Sequence, residues 1–181
     1  KPLYVDPCYL PSDAARVIDA APMSRRNYGL REDAVVYAAL MAPYKIPPAL
    51  FDAWLTILGQ VDGSVLWMRE QSSGMAARLR DTAKARGVDP QRLTFSRPEP
   101  IPRYLARFRL ADVFLDSAPF GSHTTVNDAL FAGLAAHWPE GFDGHNGWAI
   151  GFERVSPSCA CRARDRRGRW RRRRRRGARR R

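Results

Sequence analysis

Val113-Phe114-Leu115-Asp116-Ser117-Ala118-Pro119-Phe120-Gly121-Ser122-His123-Thr124-Thr125-Val126-Asn127-Asp128-Ala129-Leu130-Phe131-Ala132-Gly133 decides the fold of this chain. Its apolar opening has no polar alternation, as a strand buried on both faces requires. Asp116 closes that run, and a loop of small residues follows. Thr124 to Ala132 then reads as a helix, with Gly133 as its C-terminal cap. A strand that feeds a helix in this way cannot bury both faces alone, so copies of the unit should stand nearby.

Three copies lie upstream. Ala34-Val35-Val36-Tyr37-Ala38 is a continuous apolar run. Pro48 suits the first turn of the helix after it, because its φ is fixed and its missing N–H is not needed there. Leu50, Phe51, Trp54, Leu55 and Leu58 then share one helical face. Ser64-Val65-Leu66-Trp67-Met68 is a second strand, and Met75, Leu79 and Ala83 mark a helix ended by Gly87. Leu93-Thr94-Phe95-Ser96 is a third strand, with Tyr104, Leu105 and Phe108 on the next helix. The order βαβαβαβα predicts an α/β fold, a parallel sheet with helices on both faces. Roughly 100 residues suffice for one core, though a marginal one. Ligands of such sheets bind beyond the carboxyl ends of the strands, which points to the loops after Ala38, Met68, Ser96 and Asp116.

Outside this lobe, residues 34–134, the pattern changes. Residues 1–33 are broken by Pro2, Pro7, Pro11 and Pro22 and read as a linker or inter-lobe segment with one short helix at residues 12–20. After Leu134 the rhythm stops: residues 135–161 have no period and read as irregular and out of frame, as a frameshift in a GC-rich gene would produce. Residues 162–181 hold 14 of the 31 basic residues and one acid, so the net charge of +13 resides there. Such a segment is too repulsive and too poor in apolar residues to fold, and predicts nonspecific nucleic-acid binding as the alternative function. The remaining 161 residues are charge-neutral and offer no basic face.

Three cysteines, Cys8, Cys159 and Cys161, make no disulfide framework and lack partners at metal-ligand spacing. The opening Lys1-Pro2-Leu3-Tyr4 carries no signal peptide and reads as a truncated N-terminus. No apolar run approaches the roughly 20 residues of a membrane helix. A cytoplasmic origin fits.

Three places carry candidate chemistry. Lys45, just past the first strand, would project from the ligand edge or lie solvated on the surface. His123, Thr124 and Thr125 open the helix after the fourth strand, where N–H groups and the helix dipole favour a phosphate. Plain capping competes there, since Thr125 and Asp128 approximate a capping box. Tyr104, Arg107 and Phe108 stand near one side of the third helix, placed for a base or for the core.

Taken in order, Tyr44-Lys45-Ile46, Phe51-x-x-Trp54, Ser64-Val65-Leu66-Trp67, Gly87-Val88-Asp89-Pro90-x-Arg92-Leu93, Leu110-Ala111-Asp112-Val113-Phe114-Leu115-Asp116 and His123-Thr124-Thr125-x-x-Asp128-Ala129-Leu130-x-Ala132-Gly133 form one set. Over roughly residues 9–134 it resembles the catalytic C-terminal region of protein O-GlcNAc transferases and their bacterial relatives. The resemblance implies the second, UDP-binding lobe of a two-lobed Rossmann-like glycosyltransferase, incomplete and inactive alone. It implies transfer of N-acetylglucosamine from UDP-GlcNAc to Ser or Thr hydroxyls of a protein acceptor, with acceptor-side groups on the other lobe. Lys45 matches the catalytic lysine at the diphosphate; His123, Thr124 and Thr125 match the diphosphate-binding helix start. Asp128 matches a residue near the ribose, Arg107 a uracil-side arginine, and the backbone near Glu99 should meet the uracil edge. Tyr104 stands where the family commonly has a stacking histidine. No Asp-x-Asp motif occurs, and the resemblance implies no metal cofactor. Met41, Ala42 and Pro43 depart from the family's amide before Tyr-Lys, and Ile101 from its lysine near the ribose.

Overall fold

The computed structural model describes residue 13, residues 15–137 and the short segments 162–164 and 170–172. The body is a five-stranded parallel sheet interleaved with helices: β1 (Val36–Ala39), α1 (Pro48–Gln60), β2 (Val65–Arg69), α2 (Ser73–Ala85), β3 (Leu93–Ser96), α3 (Ile101–Arg107), β4 (Val113–Leu115), α4 (Thr124–Phe131) and β5 (Ala136–His137). Side chains alternate between faces along a strand. Val65, Leu66, Trp67 and Met68 of β2 are nevertheless all buried, so both faces of the sheet are covered. Phe51, Trp54, Leu55 and Leu58 of α1 join the same core, as their helical spacing predicts.

The strand order is β3-β2-β1-β4-β5, with every neighbouring pair parallel. The chain builds outward from β1 to β3, then returns to place β4 on the other side of β1. The crevice between the carboxyl ends of β1 and β4 is therefore the topological switch point, where ligands of open α/β sheets bind.

Arg92 locks the α1–β2 connection to the start of β3. Its guanidinium donates to the carbonyls of Leu58 (2.6 Å), Val61 (2.7 Å) and Ser64 (2.8 Å) and to the Ser64 hydroxyl (2.8 Å). The carbonyls of Leu58 and Val61 lie at the C-terminal end of α1, where helical partners run out.

Two boundaries differ from the sequence reading. Residues 15–33 are not a free linker. A 3-10 turn at Arg25–Tyr28 is drawn into the lobe, with Arg25 and Leu30 buried. Arg25 donates to the backbone carbonyls of Leu110 (2.9 Å), Glu32 (3.0 Å) and Ala34 (2.7 Å) and pairs with Asp112 (2.8 Å), which also accepts from Val36 N–H (2.9 Å). The helix expected at residues 12–20 is not formed by the described part of that stretch. Asp13 accepts from Ala15 N–H and Asp19 from Ala21 N–H, local bonds that compete with helical ones.

At the other end, the rhythm does not stop at Leu134. Ala136 and His137 pair with Phe114 and Leu115. The exposed edge of β4 supplies the hydrogen-bond partners, so the segment needs no strand-like pattern of its own. Within residues 162–181, Arg162–Arg164 and Trp170–Arg172 pair antiparallel, where sequence predicts no fixed structure; backbone pairing does not depend on the side chains that argue against folding. The rest of that segment, residues 138–161 and the three cysteines lie outside the described residues.

Candidate functional site at the sheet switch point

Lys45 ends a 3-10 turn, Pro43–Lys45, just beyond β1. Its Nζ donates to the carbonyl of Gly121 at 3.2 Å, in the loop between β4 and α4. The two loops that the topology makes neighbours are thus joined by the one lysine the sequence singles out. Asp116, buried at the end of β4, accepts from the N–H groups of Ser117 and Ser122, both at 2.8 Å, and fixes the loop's path. The Ser117 hydroxyl donates to Phe120 O (2.7 Å).

His123 is the N-cap residue of α4 and has φ +50°, a conformation that non-glycine residues adopt at a cost. Its ring lies 5.6 Å from that of Phe120. Burial, then the Lys45 ammonium, hold its imidazole below the usual range, with Asp116 opposing. Thr124 opens α4 and is exposed, while Thr125 N–H donates to Ser122 O (3.2 Å). Thr125 stands inside the helix, so the Thr125–Asp128 capping box is not formed: the helix begins two residues earlier than that motif requires.

The base-side candidates divide. Tyr104 packs edge-on against Phe108, with ring centroids 5.1 Å apart. Burial, then the Asp128 carboxylate, raise its hydroxyl pKa well above the usual value, with Arg107 and Thr125 opposing. Asp128 is paired with Arg16, whose guanidinium lies 4.3 Å over the Phe131 ring. Tyr104, Thr125, Asp128 and Arg16 therefore form one polar cluster beside α4. Arg107 is different. Its side chain is 1% exposed, it lies 4.7 Å from the Tyr104 ring centre, and it donates to Arg97 O at 3.1 Å. Burial pulls its pKa below the usual value. A guanidinium so enclosed supports the β3–α3 loop from beneath. Glu99, in that loop, accepts from the Tyr28 hydroxyl and from Arg103.

The profile of glycosyl transferase family 41 matches residues 15–137. The chain belongs to this family. A probable UDP-N-acetylglucosamine–peptide N-acetylglucosaminyltransferase of Arabidopsis thaliana is 32% identical over 139 residues, which cover 74% of this chain and 14% of the relative. A UDP-N-acetylglucosamine–peptide N-acetylglucosaminyltransferase of Caenorhabditis elegans is 36% identical over 110 residues, covering 61% and 10%. Among solved structures, a mutant O-GlcNAc transferase from Thermobaculum terrenum superposes with a TM-score of 0.54 at 29% identity, covering 56% of this chain and 20% of that one. The chain thus spans a seventh or less of the curated relatives' length. Nothing in these comparisons points to nucleic acid.

Set within family 41, the switch-point crevice offers an ammonium and a helix N-terminus, two sources of positive potential brought together by the Lys45–Gly121 bond. That combination favours a diphosphate. Sequence reasoning missed the residues that organise this site from afar. Arg16, Arg25 and Tyr28 sit in a segment read as linker, and no periodicity marks them. Asp112 and Asp116 had a signal, each being an acid at the edge of an apolar strand. No helix among the described residues is long and apolar enough to cross a membrane.

Proposed function

We propose that this chain carries the nucleotide-binding portion of a UDP-GlcNAc-dependent protein O-GlcNAc transferase, in which N-acetylglucosamine passes from UDP to a Ser or Thr hydroxyl of an acceptor protein in the cytoplasm. One observation carries the reading: Lys45 and the loop that opens α4 are bonded together at the switch point of the sheet. The diphosphate would lie against Lys45 and residues 123–125. Negative charge that develops on the leaving diphosphate would be met by the Lys45 ammonium and the α4 N-terminus, groups held in place before the reaction. The reading needs no metal.

Calorimetric titration of UDP against the chain and its Lys45→Ala form is the test. A Kd near millimolar, about −4 kcal/mol, is expected for the unaltered chain. Lys45→Ala should weaken it by roughly tenfold, the effect of losing one charge-assisted hydrogen bond. A chelator should leave the affinity unchanged. Equal affinities for the two forms would remove Lys45 from the site.

A further inference from the structure

The β3–α3 loop is Arg97-Pro98-Glu99-Pro100. Two prolines fix φ on either side of Glu99 and bias the residues before them toward extended backbone, so the loop has little freedom of its own. What remains is set by the Glu99 carboxylate. Arg103 donates to it at 3.1 Å, Arg107 stands at 3.5 Å, and the Tyr28 hydroxyl reaches both oxygens at 3.0 Å.

These donors do not come from one element. Arg103 and Arg107 belong to α3, but Tyr28 belongs to the 3-10 turn that precedes β1. The Tyr28 ring is itself anchored 5.1 Å from that of Trp67, which is fully buried in β2. Trp67 donates its indole N–H to the Ser96 hydroxyl at the other end of the same loop. The loop is therefore gripped at both ends by one aromatic pair. From beneath, Arg107 holds Arg97 O and depends on Glu99 for its charge partner. Its Nε is buried with no hydrogen-bond partner among the described residues, so displacing Glu99 would leave that guanidinium poorly compensated. A cavity of about 240 Å³ opens beside this assembly, lined by Asn27, Tyr28, Phe95, Ser96, Arg97 and Glu99.

We infer that Tyr28 is a positioning residue for nucleotide selection: its hydroxyl holds Glu99 and so sets the backbone of residues 97–100 against which the base is read. The inference rests on the nucleotide reading above and concerns the base side of that site, not the diphosphate side. Burial and the Glu99 carboxylate keep the Tyr28 hydroxyl protonated, and hence a donor, at neutral pH.

Tyr28→Phe keeps the ring against Trp67 and removes only the hydroxyl, so the fold should survive. Two probes, UDP and inorganic pyrophosphate, separate the two sides of the site. The UDP Kd should rise roughly five- to tenfold in Tyr28→Phe, the effect of one ordinary hydrogen bond, while pyrophosphate binding stays unchanged. Glu99→Gln should also weaken UDP, and the double variant should lose less than the sum, because both act through one network. UDP and pyrophosphate falling together in Tyr28→Phe would mean a general structural role and overturn the inference. Unchanged UDP binding in Tyr28→Phe, with Lys45→Ala still weak, would overturn the inference and leave the nucleotide reading standing. No UDP binding by the unaltered chain would sink both.

Discussion

Lys45 Nζ and the Gly121 carbonyl, 76 positions apart in sequence, meet at 3.2 Å and tie the loop after β1 to the loop before α4. The bond places the ammonium close enough to His123 to act on its titration.

The His123 imidazole is held below its ordinary range by burial and by Lys45. Folding therefore favours its neutral form. Its contribution to stability is present above the ordinary histidine pKa of about 6.5 and is lost as pH falls from there through the folded value. An NMR titration of the histidines should place His123 below that value, and Lys45→Ala should move it upward. No movement in the variant would mean that Lys45 does not face the imidazole in solution.

Arg107 is a buried charge with one carboxylate partner, Glu99, among the described residues. Arg107→Ala should cost about 3 kcal/mol in urea denaturation, since it opens a void and breaks the ion pair. Arg107→Met should cost less, about 1 kcal/mol, because a chain of similar length fills the space without an unpartnered Nε. Equal losses would show that the polar contacts of the guanidinium, not its volume, matter at this position.

Arg25 binds the residue 15–33 segment to the lobe through the carbonyls of Ala34 and Leu110 and through Asp112. Arg25→Ala leaves these acceptors without their donor and should cost about 3 kcal/mol. Limited proteolysis should then cut within residues 15–33 faster than in the unaltered chain. Unchanged cleavage would return the segment to the status of a linker.

Arg92 satisfies the C-terminal carbonyls of α1 and the Ser64 hydroxyl. Arg92→Ala should lower stability by about 2 kcal/mol, the cost of leaving buried acceptors unmade. Arg92→Lys should recover only part of this, because an ammonium cannot reach several acceptors as a planar fork does. Full recovery by lysine would mean that the charge, not the fork, is what α1 needs.

Sequence alone determined the elements. Apolar runs without alternation at Val36, Val65, Leu93 and Val113 became the first four strands, and the Phe51-Trp54-Leu55-Leu58 stripe became a buried helical face. Periodicity is a local property and can be read one segment at a time. The same holds for the loops that bear Lys45 and His123, since each follows directly from where a strand ends.

Only the tertiary structure decided how those elements meet. No local pattern says that β4 lies beside β1 rather than β3, yet that adjacency is what brings Lys45 to Gly121. Nor does spacing tell an exposed arginine from a buried one: Arg107 looks the same on a helical wheel in either state, and its burial depends on Trp67 and Tyr104 packing around it. Tyr28, Arg25 and the β5 pairing of Ala136 and His137 were hidden for the same reason. Their partners lie dozens of residues away or along a strand edge that exists only once the sheet has formed, and hydrogen bonds to a folded surface leave no period in the sequence that makes them.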